Sequence, residues 1–177
     1  LTLIADCKNI VSLSSIGFKP EVTETEKDRI HAIYDYSLKN FKRNIQLEYN
    51  LAPNLPSVLG DSQQLEQVLV NLVTNALDAV EGDDAQVIVR TSSDHGQVIC
   101  EVIDNGCGIS ADNLRHIFDP FFTTKQERGG TGLGLSISFR LIREHGGQLE
   151  VVSQPGSGTT MRITLPAKAK AATEAKP

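Results

Sequence analysis

Several stretches of this 177-residue chain carry side chains spaced for phosphate and metal chemistry. Asn71 and Asn75 stand four residues apart in a run of helical periodicity, so they lie about 40° apart around one axis and face the same way. Asp78 continues their stripe and is the only charged residue between Gln67 and Val80. A solvated helix face is ordinarily written in Lys and Glu, so amides beside a broad apolar face suggest a partly buried polar cavity. Amide oxygens can ligate Mg²⁺ without adding full negative charge, and amide NH₂ groups can donate to phosphate oxygens. A helix with two Asn on its exposed rim is the plainer alternative.

Asp104-Asn105-Gly106-Cys107-Gly108-Ile109 follows directly on an alternating apolar run. An aspartate at a strand end can accept a hydrogen bond from an exocyclic amine, and Gly106 and Gly108 let a flat ring approach the backbone. The same Asp-Asn-Gly is also a tight-turn signal. Further on, Gly129-Gly130-Thr131-Gly132-Leu133-Gly134-Leu135 leads straight into a helical pattern. Glycines free backbone N–H groups to point at an anion, and the helix N-terminus adds roughly half a positive charge. No Gly-Lys-Ser/Thr follows and no strand leads in, so this is neither a P-loop nor a dinucleotide fingerprint. A glycine hinge is the alternative. Ahead of it, Ile117-Phe118-Asp119-Pro120-Phe121-Phe122-Thr123-Thr124-Lys125 reads as the start of a lid anchored by its aromatics. Lys125 could bring a positive charge onto a terminal phosphate; otherwise the phenylalanines are core and Lys125 is solvated.

The elements that position these residues can be read from periodicity. Leu3, Ile4, Ile10, Val11 and Leu13 suggest a helical stripe over residues 1–17, and Ile30, Ile33, Tyr34 and Leu38 a second helix from about Glu24. Residues 45–49 alternate as a half-buried strand does. Asp61-Ser62 is expected to cap a helix running to about Val80. Val87 and Val89 mark one strand, and Val98, Cys100 and Val102 the next, with Asp94-His95-Gly96 as the hairpin turn. Residues 110–117 form a short helix, Leu133 to His145 a longer one stopped by Gly146-Gly147, and two strands pair across Pro155-Gly156-Ser157-Gly158. The Ala/Lys-rich stretch from Ala167 to Pro177 has too little apolar surface to pack. The expected fold class is α/β: a two-layer sandwich of a mixed β-sheet and about three helices, with an N-terminal helical remnant (1–17), a main domain (18–166) and a disordered tail (167–177).

Composition narrows the partners. With 40% apolar residues a core of ordinary size can form, and 22 carboxylates against 17 Lys plus Arg give a net charge of −5, which argues against nucleic acid or a membrane surface as partner. No run of 18 apolar residues occurs and the start lacks the basic region of a secretory signal. The cysteines are odd in number (Cys7, Cys100, Cys107) and no histidine pair has ligand spacing, so a disulfide framework and a zinc site are not expected and a reducing cytoplasm fits. The only methionine is Met161, and the chain reads as a piece of something longer.

Taken in order, Asn75, Asp104-x-Gly106-x-Gly108, Phe118-x-Pro120-Phe121-Phe122, Gly130-x-Gly132-Leu133-Gly134-Leu135 and Gly156-x-Gly158-Thr159 resemble the catalytic, ATP-binding domain of two-component sensor histidine kinases. These belong to the GHKL ATPase superfamily, with gyrase, the mismatch-repair ATPase and a heat-shock chaperone. The resemblance covers roughly residues 18 to 166, and Phe121-Phe122-Thr123-Thr124-Lys125 is similar to the nitrogen-regulator branch. It implies ATP and Mg²⁺ as cofactors, with Asn75 as metal ligand and Asn71 supporting the phosphates. Asp104 takes the adenine amino group, backed by Gly106, Gly108, Ile109 and Thr159. Gly130, Thr131, Gly132, Leu133, Gly134 and Leu135 hold phosphates, and Lys125 is the lid cation. Asn75, Asn71 and Lys125 form the implied catalytic set. Many relatives carry Lys where this chain has Asp78, so a phosphate contact there is in doubt.

Hydrolysing members of the superfamily place a Glu four residues before the metal-binding Asn. An amide cannot take a proton at neutral pH, so Asn71 removes that base, and phosphate should pass to an acceptor other than water. None of His31, His95, His116 or His145 is followed by the Glu or Asp of the family's acceptor helix. The acceptor is therefore expected upstream of Leu1, on a dimerisation domain, in a cytoplasmic part of a homodimeric protein whose phosphohistidine serves a response regulator. This chain by itself would be monomeric and bind no nucleic acid. The rival readings are a GHKL ATPase that drives a conformational clamp, a degenerate docking module without nucleotide, and, nearer by, a serine kinase of the anti-sigma type.

Overall fold

The computed structural model describes residues 4–5, 45–126 and 130–168. Along the described chain run β1 (Ile4–Ala5), β2 (Gln46–Asn50), β3 (Val58–Leu59), α1 (Ser62–Ala79), β4 (Gln86–Asp94), β5 (Gln97–Asp104), α2 (Ala111–Leu114), α3 (Gly134–Glu144), β6 (Gln148–Ser153) and β7 (Thr159–Pro166). Alternation in β4, β5 and β7 sends Val87, Val89, Val98, Val102, Met161, Ile163 and Leu165 to one face, where all are buried. α1 and α3 cover that face with Leu65, Val68, Leu72, Leu141 and Ile142. Among the described residues the main sheet has five strands in the order β2-β4-β5-β7-β6. β2 runs parallel to β4 and every other pairing is antiparallel, so the sheet is mixed, as expected.

The local signals act as their chemistry dictates. Asp61 caps α1, its Oδ1 accepting from the N–H groups of Gln63 at 2.9 Å and Gln64 at 3.2 Å. β4 and β5 meet through His95 and Gly96, both at positive φ (46° and 76°), the two-residue hairpin geometry that matches strand twist. Ser110 caps the short α2 through the Asn113 N–H.

A histidine ties the two long helices together. At the C-terminal end of α3 the His145 ring lies with Nδ1 2.7 Å from the Leu141 carbonyl, to which it donates. Its Nε2 accepts the Asp61 N–H at 3.0 Å, just ahead of α1.

On the face of the sheet opposite α1 and α3, register sets Arg90, Glu101 and Arg162 side by side on three strands. Glu101 is buried and receives both guanidinium groups, Arg90 at 2.7 Å and Arg162 at 2.9 Å. Burial alone would raise its pKa; hydrogen bonds and charge from the two arginines outweigh it and hold the carboxyl below the usual range.

Two expectations need amendment. Ile4–Ala5 pair antiparallel with Val58–Leu59 as a strand, where a helix was expected. Val58–Leu59 offer unpaired backbone groups there, and an extended segment satisfies them as a helix cannot. The rest of that expected helix, and the one from Glu24, lie outside the described residues. At the other end hydrogen bonding continues past residue 166: the Ala167 N–H donates to Gly96 O at 2.8 Å and the Lys168 N–H to Ser57 O at 2.7 Å. The remainder of the expected tail is outside the described residues.

Candidate active site

Asp104 is the last residue of β5, the central strand, and is 7% exposed. Its Oδ1 accepts two backbone N–H groups, from Gly106 at 2.9 Å and Thr159 at 3.2 Å. Burial raises its pKa above the ordinary aspartate value; the two amides and the charge of Lys125 oppose the shift without cancelling it. With both bonds on Oδ1, the carboxylate is oriented by backbone alone, and Oδ2 is left to face a donor.

The walls around Asp104 are tied by one hydroxyl. Ser153 Oγ donates to Gly158 O at 2.8 Å, accepts the Ile109 N–H at 2.9 Å and lies 3.0 Å from Thr159 Oγ1. Since a hydroxyl has one proton, Thr159 must donate to Ser153. Gly106 and Gly108 also have a packing role of their own. A Cβ on Gly106 would run into the Ala79 carbonyl at the end of α1, and one on Gly108 (φ +68°) into the Gln154 carbonyl. Both let this loop close on the chain's own backbone, and the Cys107 N–H completes the join by donating to Ala79 O at 3.0 Å.

The amide stripe of α1 is half-buried, as a polar cavity requires, and Asn71, Asn75 and Asp78 share it. The two asparagines differ. Asn71 Nδ2 donates to Ser138 Oγ of α3 at 3.0 Å, and its Oδ1 occupies the space a Cβ would need on Gly134. No described residue hydrogen-bonds the Asn75 side chain, which is left available. Asn71 thus seats the start of α3 against α1. Gly130, Thr131, Gly132, Leu133, Gly134 and Leu135 lead up to that start. α1 and α2 have side-chain caps, whereas no described side chain caps the N-terminus of α3. Thr131 Oγ1 accepts the Leu133 N–H at 3.4 Å, and Leu135 packs against the core.

Phe121 is 71% exposed yet sits at φ +67°, a conformation that costs a non-glycine roughly 1–2 kcal/mol. Its N–H donates to Gly132 O at 2.9 Å, and a Cβ on Gly132 (φ +68°) would strike the Phe121 backbone. Phe118 stacks on Phe139 of α3, with ring centroids 4.9 Å apart, and Phe122 lies against His116 at 5.8 Å. His116 also pairs with Asp119 at 2.8 Å on the surface. Lys125 reaches α1, its Nζ 3.0 Å from Asp78 Oδ2.

The structure therefore gathers Asp104, Thr159, Ile109, the α1 stripe, Lys125 and the bare end of α3 around one region. A profile described as the histidine kinase-, DNA gyrase B- and HSP90-like ATPase family matches residues 60–169, the span that builds it. The chain belongs to that family. It is 40% identical over 136 residues to the sensor histidine kinase ZraS of Escherichia coli K12, covering 77% of this chain and 29% of ZraS. Against the sensory histidine kinase/phosphatase NtrB of Rhizobium leguminosarum it is 38% identical over 165 residues, 82% of this chain and 42% of NtrB. The chain thus spans less than half the length of these relatives. Among solved structures, the catalytic domain of the histidine kinase ThkA superposes with a TM-score of 0.64 at 31% identity, covering 80% of this chain and 93% of ThkA's. Full-length ShkA in complex with AMPPNP gives 0.72 at 25% identity, covering 96% and 32%. The two-layer fold is that of histidine kinase catalytic domains, and the domain is an ATP-binding one of that type.

Two residues of this family member's site went unread in its sequence. Ser138 lies three and four residues before Leu141 and Ile142, so a small polar residue in an apolar stripe could have flagged it. Ser153 gave no comparable signal, because its role depends on three loops meeting.

Proposed function

We propose that this domain binds Mg-ATP with the adenine amino group on Asp104 and donates the γ-phosphate to a histidine on a dimerisation domain, for relay to a response regulator. The observation that carries this is Asp104: a buried carboxyl whose Oδ1 is held by the Gly106 and Thr159 amides, leaving Oδ2 to accept from an amine. Asn75 fits a metal ligand because its carboxamide is half-buried without a described protein partner, and Mg²⁺ is commonly held by one or two protein oxygens plus substrate phosphates. Mg²⁺ would neutralise charge between phosphate oxygens. The uncapped N-terminus of α3 offers N–H groups and a positive dipole end to the same phosphates, and Asn71 holds that end in place through Ser138. Lys125 supplies the cation. The chain's contribution is position and charge, as in other phosphoryl transfers. Among the described residues no helix is long and apolar enough to cross a membrane.

Replacing Asp104 with Asn should weaken adenine nucleotides by about 1.5–3 kcal/mol, or roughly 10- to 150-fold, while inorganic triphosphate binds as before. Calorimetric titration of both ligands checks it, and equal loss for both would remove Asp104 from adenine recognition. A hydrolysing clamp is the second reading. Asn71 speaks against it, since its NH₂ is committed to Ser138 and its amide cannot act as a base. Rapid steady-state phosphate release from Mg-ATP would reinstate it.

A further inference from the structure

Resting on the reading of Lys125 as a phosphate-binding cation, the structure adds a competitor for it. Lys125 Nζ lies 3.0 Å from Asp78 Oδ2, with the two side chains only 34% and 29% exposed. Asp78 is three residues beyond Asn75, on the same stripe of α1. The Lys125 main chain is fixed on both sides: its N–H donates to Thr123 Oγ1 at 3.0 Å and its carbonyl accepts the Gly130 N–H at 3.0 Å. A Cβ on Gly130 would press on Thr123 and Lys125, so the glycine permits this closure. The ammonium is thus delivered to α1 from an anchored base rather than from a free side chain. Lys125 is also close enough to Asp104 for its charge to favour that carboxylate's ionised form. Among the described residues, Lys125 thus stands between two carboxyl groups and pairs directly with Asp78.

We propose that Asp78 is a specificity-determining residue, a built-in counter-ion that a polyphosphate must displace from Lys125. The carboxylate at position 78 then sets how weakly the site takes phosphate chains whose charge no divalent cation has reduced. A ligand lacking phosphates has no need of Lys125 and is indifferent to the pair.

The test uses the intact chain, titrated calorimetrically with inorganic triphosphate in the absence of divalent metal, and separately with adenosine. Asp78→Asn should bind triphosphate about two- to fivefold more tightly, the range expected for a partly exposed ion pair. Adenosine should bind both proteins alike, which also shows that the variant is folded. In a Lys125→Gln background the gain from Asp78→Asn should disappear, and Asp78→Glu should behave as the unaltered chain. Unchanged or weaker triphosphate binding by Asp78→Asn overturns the proposal, as does a gain that survives Lys125→Gln, because charge repulsion alone would then explain it. If the unaltered chain binds neither adenosine nor Mg-ATP, the nucleotide reading itself fails, and the proposal with it. Normal binding of those ligands with triphosphate unaffected by Asp78 rejects only the competitor.

Discussion

At the scale of single residues, Asp104 has the clearest consequence. Because burial raises its pKa, it takes up a proton at a higher pH than an ordinary aspartate does. Protonation turns the acceptor into an O–H donor, which clashes with an amine. Adenosine affinity is therefore expected to fall as the medium is acidified, starting above the usual aspartate range, and to show no such fall in Asp104→Asn; titrations across pH compare the two. The sign for stability is opposite, since a raised carboxyl pKa means stability declines as pH rises through the window between unfolded and folded values. Asp104 was legible in the sequence because a strand-ending aspartate before two spaced glycines is a local pattern. The partners that aim it were partly legible: Gly106 and Thr159 could be named, but Ser153, which ties Ile109, Gly158 and Thr159, gathers segments more than 40 residues apart.

At the scale of elements, caps and turns were the most readable features, because each depends on neighbours in sequence. Asp61 caps α1, and His95-Gly96 turns between β4 and β5, where the pattern put them. What joins one element to another was not readable. His145 looked like one more helix-end histidine, yet its ring links α3 to the start of α1, with Gly60 leaving no Cβ to obstruct it. His145→Ala should lower stability by about 0.5–1.5 kcal/mol, a modest cost because water can reach the Asp61 N–H once the ring is gone. Thermal unfolding at neutral pH is the measurement, with Asp104 and Lys125 chemistry unaffected. Ile4–Ala5 teaches the same point from the other side: an apolar stripe over residues 1–17 predicts a helix, and pairing with Val58–Leu59 overrode it there.

At the scale of the whole molecule, the class and order of layers followed from alternation in the strands and the amphipathic stripes of α1 and α3. The Arg90–Glu101–Arg162 cluster on the sheet face opposite the helices did not, because it arises only from register between β4, β5 and β7. Glu101, with its pKa held down by Arg90 and Arg162, contributes stability that is present above the unfolded glutamate value and lost as pH falls through the lower folded one. Glu101→Gln is expected to cost about 1–3 kcal/mol at neutral pH and to flatten the acid limb of the stability profile, read by denaturant titration at several pH values. The difference between variant and parent should shrink toward strongly acid conditions.

The pair of long helices is fastened twice, by Asn71 to Ser138 and by Asp61 to His145, through contacts 67 and 84 positions apart in sequence. Two pins so far apart along the chain each oppose a slide of one helix along the other, and both must break for the α1–α3 register to change.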